Sequence, residues 1–373
     1  MAKKVLLFTG IVAICFLAPL TAQQFHVYIS DAVNFNVAPW KILRFDENGQ
    51  NGQVFISDHL AWPQDILFLE NENAVLVTNL NNGRISKFNA TSGVFINEFA
   101  TGIGGPTRME VGPDGLLYVL QWTGNGKVKR YNLDGTFVDD FTAVGVTNSI
   151  GLDWDAGGNL YVSSYDGKYI KKFSPTGADL GNFVSTNLSG PTNIWFAENG
   201  DLFVVDYLGA SVKRFDSQGN YLGIFISGLP QGEGVDFFPN GNIIIGSGGL
   251  HSVRIYDASG NFLNNLTPPG TLGLQTPNAV VLRPVSPSTT REVYKELTFV
   301  TPSIGVLFQL SKPELMQPGA SFAVHDSTGV LVRKINFANT TSWDAANLPN
   351  GVYYITAKLK DGVIARQAVV VQH

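Results

Sequence analysis

The sequence predicts an all-β chain: a six-bladed β-propeller closed by its own N-terminal strands, followed by a small C-terminal β-sandwich. Three observations predict it. A short basic-aromatic segment recurs six times, as Lys41-Ile-Leu-Arg-Phe45, Arg84-Ile-Ser-Lys-Phe88, Lys127-Val-Lys-Arg-Tyr131, Tyr169-Ile-Lys-Lys-Phe173, Ser211-Val-Lys-Arg-Phe215 and Ser252-Val-Arg-Ile-Tyr256. The closing aromatics stand at 45, 88, 131, 173, 215 and 256, at intervals of 43, 43, 42, 42 and 41. A period of about 40–45 residues built from short strands and turns is the span of a propeller blade. The period then stops near residue 285, and a different strand pattern follows.

The first element lies before the repeats. Lys3 and Lys4 precede an apolar run from Val5 to Leu17, and Leu20-Thr21-Ala22 offers a small residue before a cut. This reads as a secretory signal peptide over residues 1–22, its apolar run too short for a comfortable membrane span. The only cysteine, Cys15, falls inside it. The expected mature chain therefore starts at Gln23, has no disulfide and no membrane span, and relies on packing and strand pairing.

Residues 23–285 form the propeller. Each unit opens on a first strand: Pro63-Gln-Asp-Ile66, Pro106-Thr-Arg-Met109, Ser149-Ile-Gly-Leu152, Pro191-Thr-Asn-Ile194, Gly232-Glu-Gly-Val235 and Pro277-Asn-Ala-Val280. A second strand follows a tight turn, as in Asp114-Gly-Leu-Leu-Tyr-Val119 and Asn199-Gly-Asp-Leu-Phe-Val204. Asp-Gly and Asn-Gly supply the positive φ that such hairpins need. The basic-aromatic segment is the third strand, and a weakly patterned strand such as Tyr221 to Ile226 is the fourth. The last unit supplies only its first strand, Pro277 to Arg283, while Val27 to Asp31 and Lys41 to Phe45 match second and third strands. The N-terminus therefore completes the final blade, which removes the exposed edges of an open array.

The closing blade is longer than the others. Asp31 to Phe45 spans 14 residues where Asp206 to Phe215 spans 9. The extra loop, Ala32 to Trp40, carries Phe35 and Trp40, which either pack over the seam or bind a ligand.

Composition bounds the partners. Hydrophobic residues make up 44% of the 373 and charged residues 15%, enough apolar material for a large core. The net charge of -5 gives no drive toward nucleic acid. The Lys and Arg of the third strands are spread one cluster per unit and read as a solvated strand, not a nucleic-acid patch.

Taken together, these segments resemble the NHL-repeat family of propellers over about residues 25 to 285, with Pro191 to Phe215 the clearest copy and the family's Asp matched at Asp31 and Asp206. That family includes enzymes, adhesion modules and scaffolds, so it implies a fold and not an activity. After the Ser/Thr/Pro-rich linker of residues 286–297, residues 298–373 show Phe322-Ala-Val-His-Asp-Ser-Thr-Gly-Val-Leu-Val332, Leu348-Pro-Asn-Gly-Val-Tyr-Tyr-Ile355 and a last strand from Ala365 to Val371. This resembles the C-terminal sorting domain of the type IX secretion system of Bacteroidetes, although Val300-Thr-Pro-Ser303 stands where that family has Tyr-Pro-Asn-Pro. The resemblance implies a protein exported through the periplasm to the medium or the outer-membrane surface, with the type IX machinery as a partner.

Ligands of propellers bind where the innermost strands enter the channel. Two rings of residues face that axis: Gln64, Thr107, Ile150, Thr192, Glu233 and Asn278, then Asp65, Arg108, Gly151, Asn193, Gly234 and Ala279. Gln64, Asp65, Arg108, Asn193, Glu233 and Asn278 are the candidate ligand-binding residues. Glu233-Gly234 and Asn278 resemble the metal-binding positions of gluconolactonase-like propellers, with Asp65 one position away; that resemblance implies Ca2+ or another divalent metal held by Glu233, Asn278 and Asp65. Streptogramin lyase-like propellers use His, but His26, His59, His251, His325 and His373 lie in the closing strand, in loops or outside the repeats. No His-Glu-x-x-His or Gly-x-Ser-x-Gly motif is present. The function expected is a secreted interaction module for a protein, glycan or small-molecule ligand. The alternative is a metal-dependent hydrolase or lyase at the channel mouth.

Overall fold

The computed structural model describes residues 24–285, 295–315, 321–326, 331–336, 342–360 and 364–373. The expected signal peptide and Cys15 lie outside the described residues, as does most of the linker. The chain divides between Val285 and Ser286 into two compact units.

The first unit is a set of six four-stranded antiparallel sheets, the arrangement of a β-propeller. Five are continuous in sequence, and the sixth joins Pro277–Pro284 to Phe25–Asp31, Lys41–Asp46 and Gln53–Ile56. The seam is a full antiparallel ladder that pairs Val27 with Leu282 and Ile29 with Val280. The first strands of the six sheets are Pro63–Leu69, Pro106–Val111, Ser149–Trp154, Pro191–Phe196, Gly232–Phe237 and Pro277–Pro284. Each touches the next, and the last touches the first, so these strands line the central channel.

The third strands explain the sixfold basic-aromatic segment. Phe45, Phe88, Tyr131, Phe173, Phe215 and Tyr256 are buried in the clusters between sheets. The alternate residues point outward and meet carboxylates. Arg130 bonds Asp139 and Asp114, Lys172 meets Asp155, and Arg214 meets Asp201. Period-two alternation thus places the aromatic inside and the cation outside, paired locally with acids.

The polar residue that ends each second strand pins the loop before the same sheet's first strand. Asp206 accepts the backbone N–H of Ser189 and Gly190 and meets Lys213. Asp31 accepts those of Gln275 and Thr276, and Asn79 accepts that of Ala61. A buried carboxylate or amide at this place satisfies donors that a turn would otherwise leave unpaired.

In the second unit, one sheet contains Lys295–Glu296, Ile304–Gly305, Ser321–Asp326, Leu331–Asn336, Gly351–Lys358 and Ile364–Val371. A second contains Val300–Thr301, Leu307–Leu310 and Ser342–Asp344. Phe299, Phe308 and Trp343 share one apolar cluster with Phe322, Val324 and Ile355. Lys295 and Glu296, read from sequence as linker, instead form a strand parallel to the last one. The buried Gln367 side chain accepts N–H bonds from Phe299 and Val300 and donates to the Val300 carbonyl, tying both sheets at one point.

Candidate functional site

The site grows from the first strands of the channel. Gly151 and Gly234 stand where these strands run closest. A Cβ on Gly234 would lie 2.5 Å from the Val280 amide nitrogen, so the Glu233-Gly234 pair reflects backbone approach between neighbouring sheets. Between them Arg108, 5% exposed, reaches into the axis.

Its guanidinium collects the other candidates. Nε donates to Asn193 Oδ1 at 2.7 Å, and Nη2 donates to Glu233 Oε1 at 3.3 Å. The carbonyls of Gln64 and Asn278 accept from Nη1 and Nη2. Asp65 Oδ1 lies 3.8 Å from Nη1 and also accepts the Ile66 amide, while Oδ2 accepts that of Met109. The five other predicted residues therefore meet around Arg108, a cation supplied by the chain itself, Gln64 and Asn278 through their backbone carbonyls.

That arrangement does not fit the expected metal. Arg108 takes the place at which Glu233, Asn278 and Asp65 would hold a divalent ion, and Asp65 is engaged by two backbone amides. Among the described residues no group of three His, Cys, Asp or Glu side chains converges as a metal site.

Arg108 also separates two cavities. Asp65, Arg108 and Asn193 line one of about 310 Å³, together with Glu110, Asp153 and Asp236. Asp153 accepts the backbone N–H of Phe196 and Asp236 that of Leu282, so each ties its strand to the next sheet. Burial raises the pKa of both. Glu110 is open to this chamber yet surrounded by protein, and desolvation, then Asp153 and Asp65, push it up toward about 8.

Gln64, Glu233 and Asn278 form the floor of the other cavity, about 220 Å³, at the opposite end of the channel. Its wall is aromatic: Phe35, Trp62, Trp122, Tyr165 and Tyr207. Ring centroids are 5.3 Å apart for Phe35 and Trp62, 5.6 Å for Trp122 and Tyr165, and 5.7 Å for Tyr165 and Tyr207. Phe35 thus lines the mouth. Trp40 does not; its indole donates to the Phe35 carbonyl at 2.7 Å and holds the loop.

Burial raises the Glu233 pKa to about 7; Arg108 opposes the shift and Asp65 adds to it. Burial, then Glu233, raises that of Tyr207.

Sequence reasoning missed Trp62, Trp122, Tyr165 and Tyr207. For the last three the signal was present one residue beyond each second strand, where the units carry Ala32, Leu80, Trp122, Tyr165, Tyr207 and Gly248, whereas Trp62 directly precedes the first strand Pro63–Leu69.

No protein-family model and no curated protein matches this sequence. Solved structures do resemble it. One is the crystal structure of a nidogen/laminin complex, with 15% identity, TM-score 0.56, and coverage of 69% of this chain and 98% of that one. Another is a protein of unknown function from Bacteroides caccae, with 13% identity, TM-score 0.56 and the same coverage. At this identity the likeness supports the β-propeller fold and says nothing of activity.

Proposed function

We propose that this chain is a secreted or cell-surface binding module: a six-bladed NHL-type propeller whose ligand site is the aromatic mouth of its channel. Residues 1–22 act as its signal peptide. Residues 298–373 form a β-sandwich that delivers it through type IX secretion. One observation carries the binding reading: five aromatic side chains enclose a small cavity whose floor is a ring of buried polar groups. Ligand sites have this character, mostly apolar walls with a few convergent polar atoms. The metal-dependent hydrolase or lyase reading is disfavoured by Arg108, whose guanidinium stands between the carboxylates such an enzyme would use.

The test is a screen of the mature chain against glycans, peptides and small molecules, read by thermal shift. Hits at the mouth lose their shift in Trp122→Ala and Trp62→Ala. Hits that survive both substitutions would place the ligand elsewhere and remove this reading.

A further inference from the structure

The floor of the mouth has a hydrogen-bonding polarity that follows from one indole. Trp62 Nε1 can only donate, so the Gln64 amide atom 2.6 Å from it is the oxygen. That same oxygen then accepts from Asn278 Nδ2 at 2.5 Å. The Asn278 amide is thereby oriented, and its Oδ1 is left with no partner although the residue is 1% exposed. An unpaired buried carbonyl oxygen costs about 1–3 kcal/mol and leaves its negative end uncompensated beside the floor. Beside it, Glu233 uses Oε1 for Arg108, and among the described residues nothing donates to Oε2.

The donors on this floor are spent. The Arg108 guanidinium is committed to Asn193, Glu233 and two backbone carbonyls. On the floor an anionic ligand would therefore meet acceptors, and the donors above it are neutral ones, the Trp122 indole and the Tyr165 and Tyr207 hydroxyls. Ring faces carry negative potential and attract cations, most strongly where water is excluded. Arg108 with Asp65 and Glu233 gives one net negative charge when both acids are ionised.

Building on the mouth as the ligand site, we propose that it binds a small organic ammonium, with an N–H on Glu233 Oε2 and the carbon body between the rings of Trp62, Trp122, Tyr165 and Tyr207. An ammonium here favours the ionised form of Glu233, so the ligand and the carboxylate stabilise each other.

The experiment is a tryptophan-fluorescence titration of the full mature chain with phenethylammonium and with its neutral counterpart, phenethyl alcohol. The ammonium is expected to bind at least about tenfold more tightly. Glu233→Gln should bring the ratio toward one, and Asn278→Asp, which adds a carboxylate, should widen it. Equal binding of the two probes overturns the ammonium assignment. If that equal binding is lost in Trp62→Ala, the mouth still stands as a ligand site. Binding of neither probe below about 10 mM overturns the assignment as well, leaving the mouth to be judged by the separate screen. The comparison of probes on the unmodified chain needs no variant to fold.

Discussion

Arg108 Nη2 lies 3.3 Å from Glu233 Oε1 across the channel, though 125 residues separate them in sequence. The pair is buried, and the same guanidinium serves Asn193 and two backbone carbonyls. Arg108→Leu should therefore cost about 3–5 kcal/mol, the penalty for a buried charge that loses its partner. Arg108→Lys should recover only part, since one ammonium cannot reach acceptors in several directions. Adding Glu233→Gln to Arg108→Leu should restore more stability than additivity allows. Urea denaturation of the four proteins checks this, and strictly additive losses would show that the pair is not coupled.

Glu233 also sets a pH dependence. Its pKa is raised by burial from 4.5 to about 7, so the folded chain holds this proton more tightly than the unfolded chain does. The stabilising contribution is fully present below about 4.5 and is lost as pH rises through about 7. Glu233→Gln stays neutral throughout. Its melting temperature should therefore rise relative to wild type between pH 5 and 8, by about the same sense at every salt concentration because the group is buried. A difference that stays flat over that range would contradict the raised pKa.

Asp206 is fully buried and accepts the N–H of Ser189 at 3.0 Å and of Gly190 at 2.6 Å, with Lys213 Nζ 2.5 Å away. Asp206→Ala leaves all these donors unmet, and a loss of about 2–4 kcal/mol is expected. Asp206→Asn should cost roughly half as much, because an amide oxygen can still accept from the loop. Asn79 already does so for the Ala61 amide in another sheet. Thermal unfolding of both variants decides the order, and equal losses would mean that only the charge matters.

The frame of the channel was legible because backbone repeats leave a period in the sequence. Counting from Phe45 to Tyr256 placed every first strand, and that alone put Gln64, Asp65, Arg108, Asn193, Glu233 and Asn278 on a common axis. What the six do there was not legible. Ring position does not tell which side chain is long enough to cross the axis, and Arg108 is. Nor does it tell which residues face opposite ends, which is why Asp65 and Glu233 seemed joint ligands yet open onto different cavities. Trp122, Tyr165 and Tyr207 lay just past the repeated strands and Phe35 and Trp62 in loops, where the units differ and their alignment has least grip.

The last prediction concerns the division at Val285. The six clusters of the propeller draw on residues from Val27 to Leu282, and the cluster of the second unit draws on residues from Leu297 onward. Each of these clusters lies within one unit, so each unit has an apolar core of its own. The ladder between Phe25–Asp31 and Pro277–Pro284 closes the ring without any residue beyond 285. Removing residues 298–373 should accordingly leave the propeller's melting temperature within about 2 °C of its value in the full chain. If those residues are the sorting domain proposed above, the truncated protein should also accumulate, folded, in the periplasm of a host that secretes the full chain. The two readouts separate the two ideas. A fall in melting temperature would show that the units are energetically joined. A truncated protein that is folded and still reaches the medium would remove the sorting role while leaving the independence of the propeller intact.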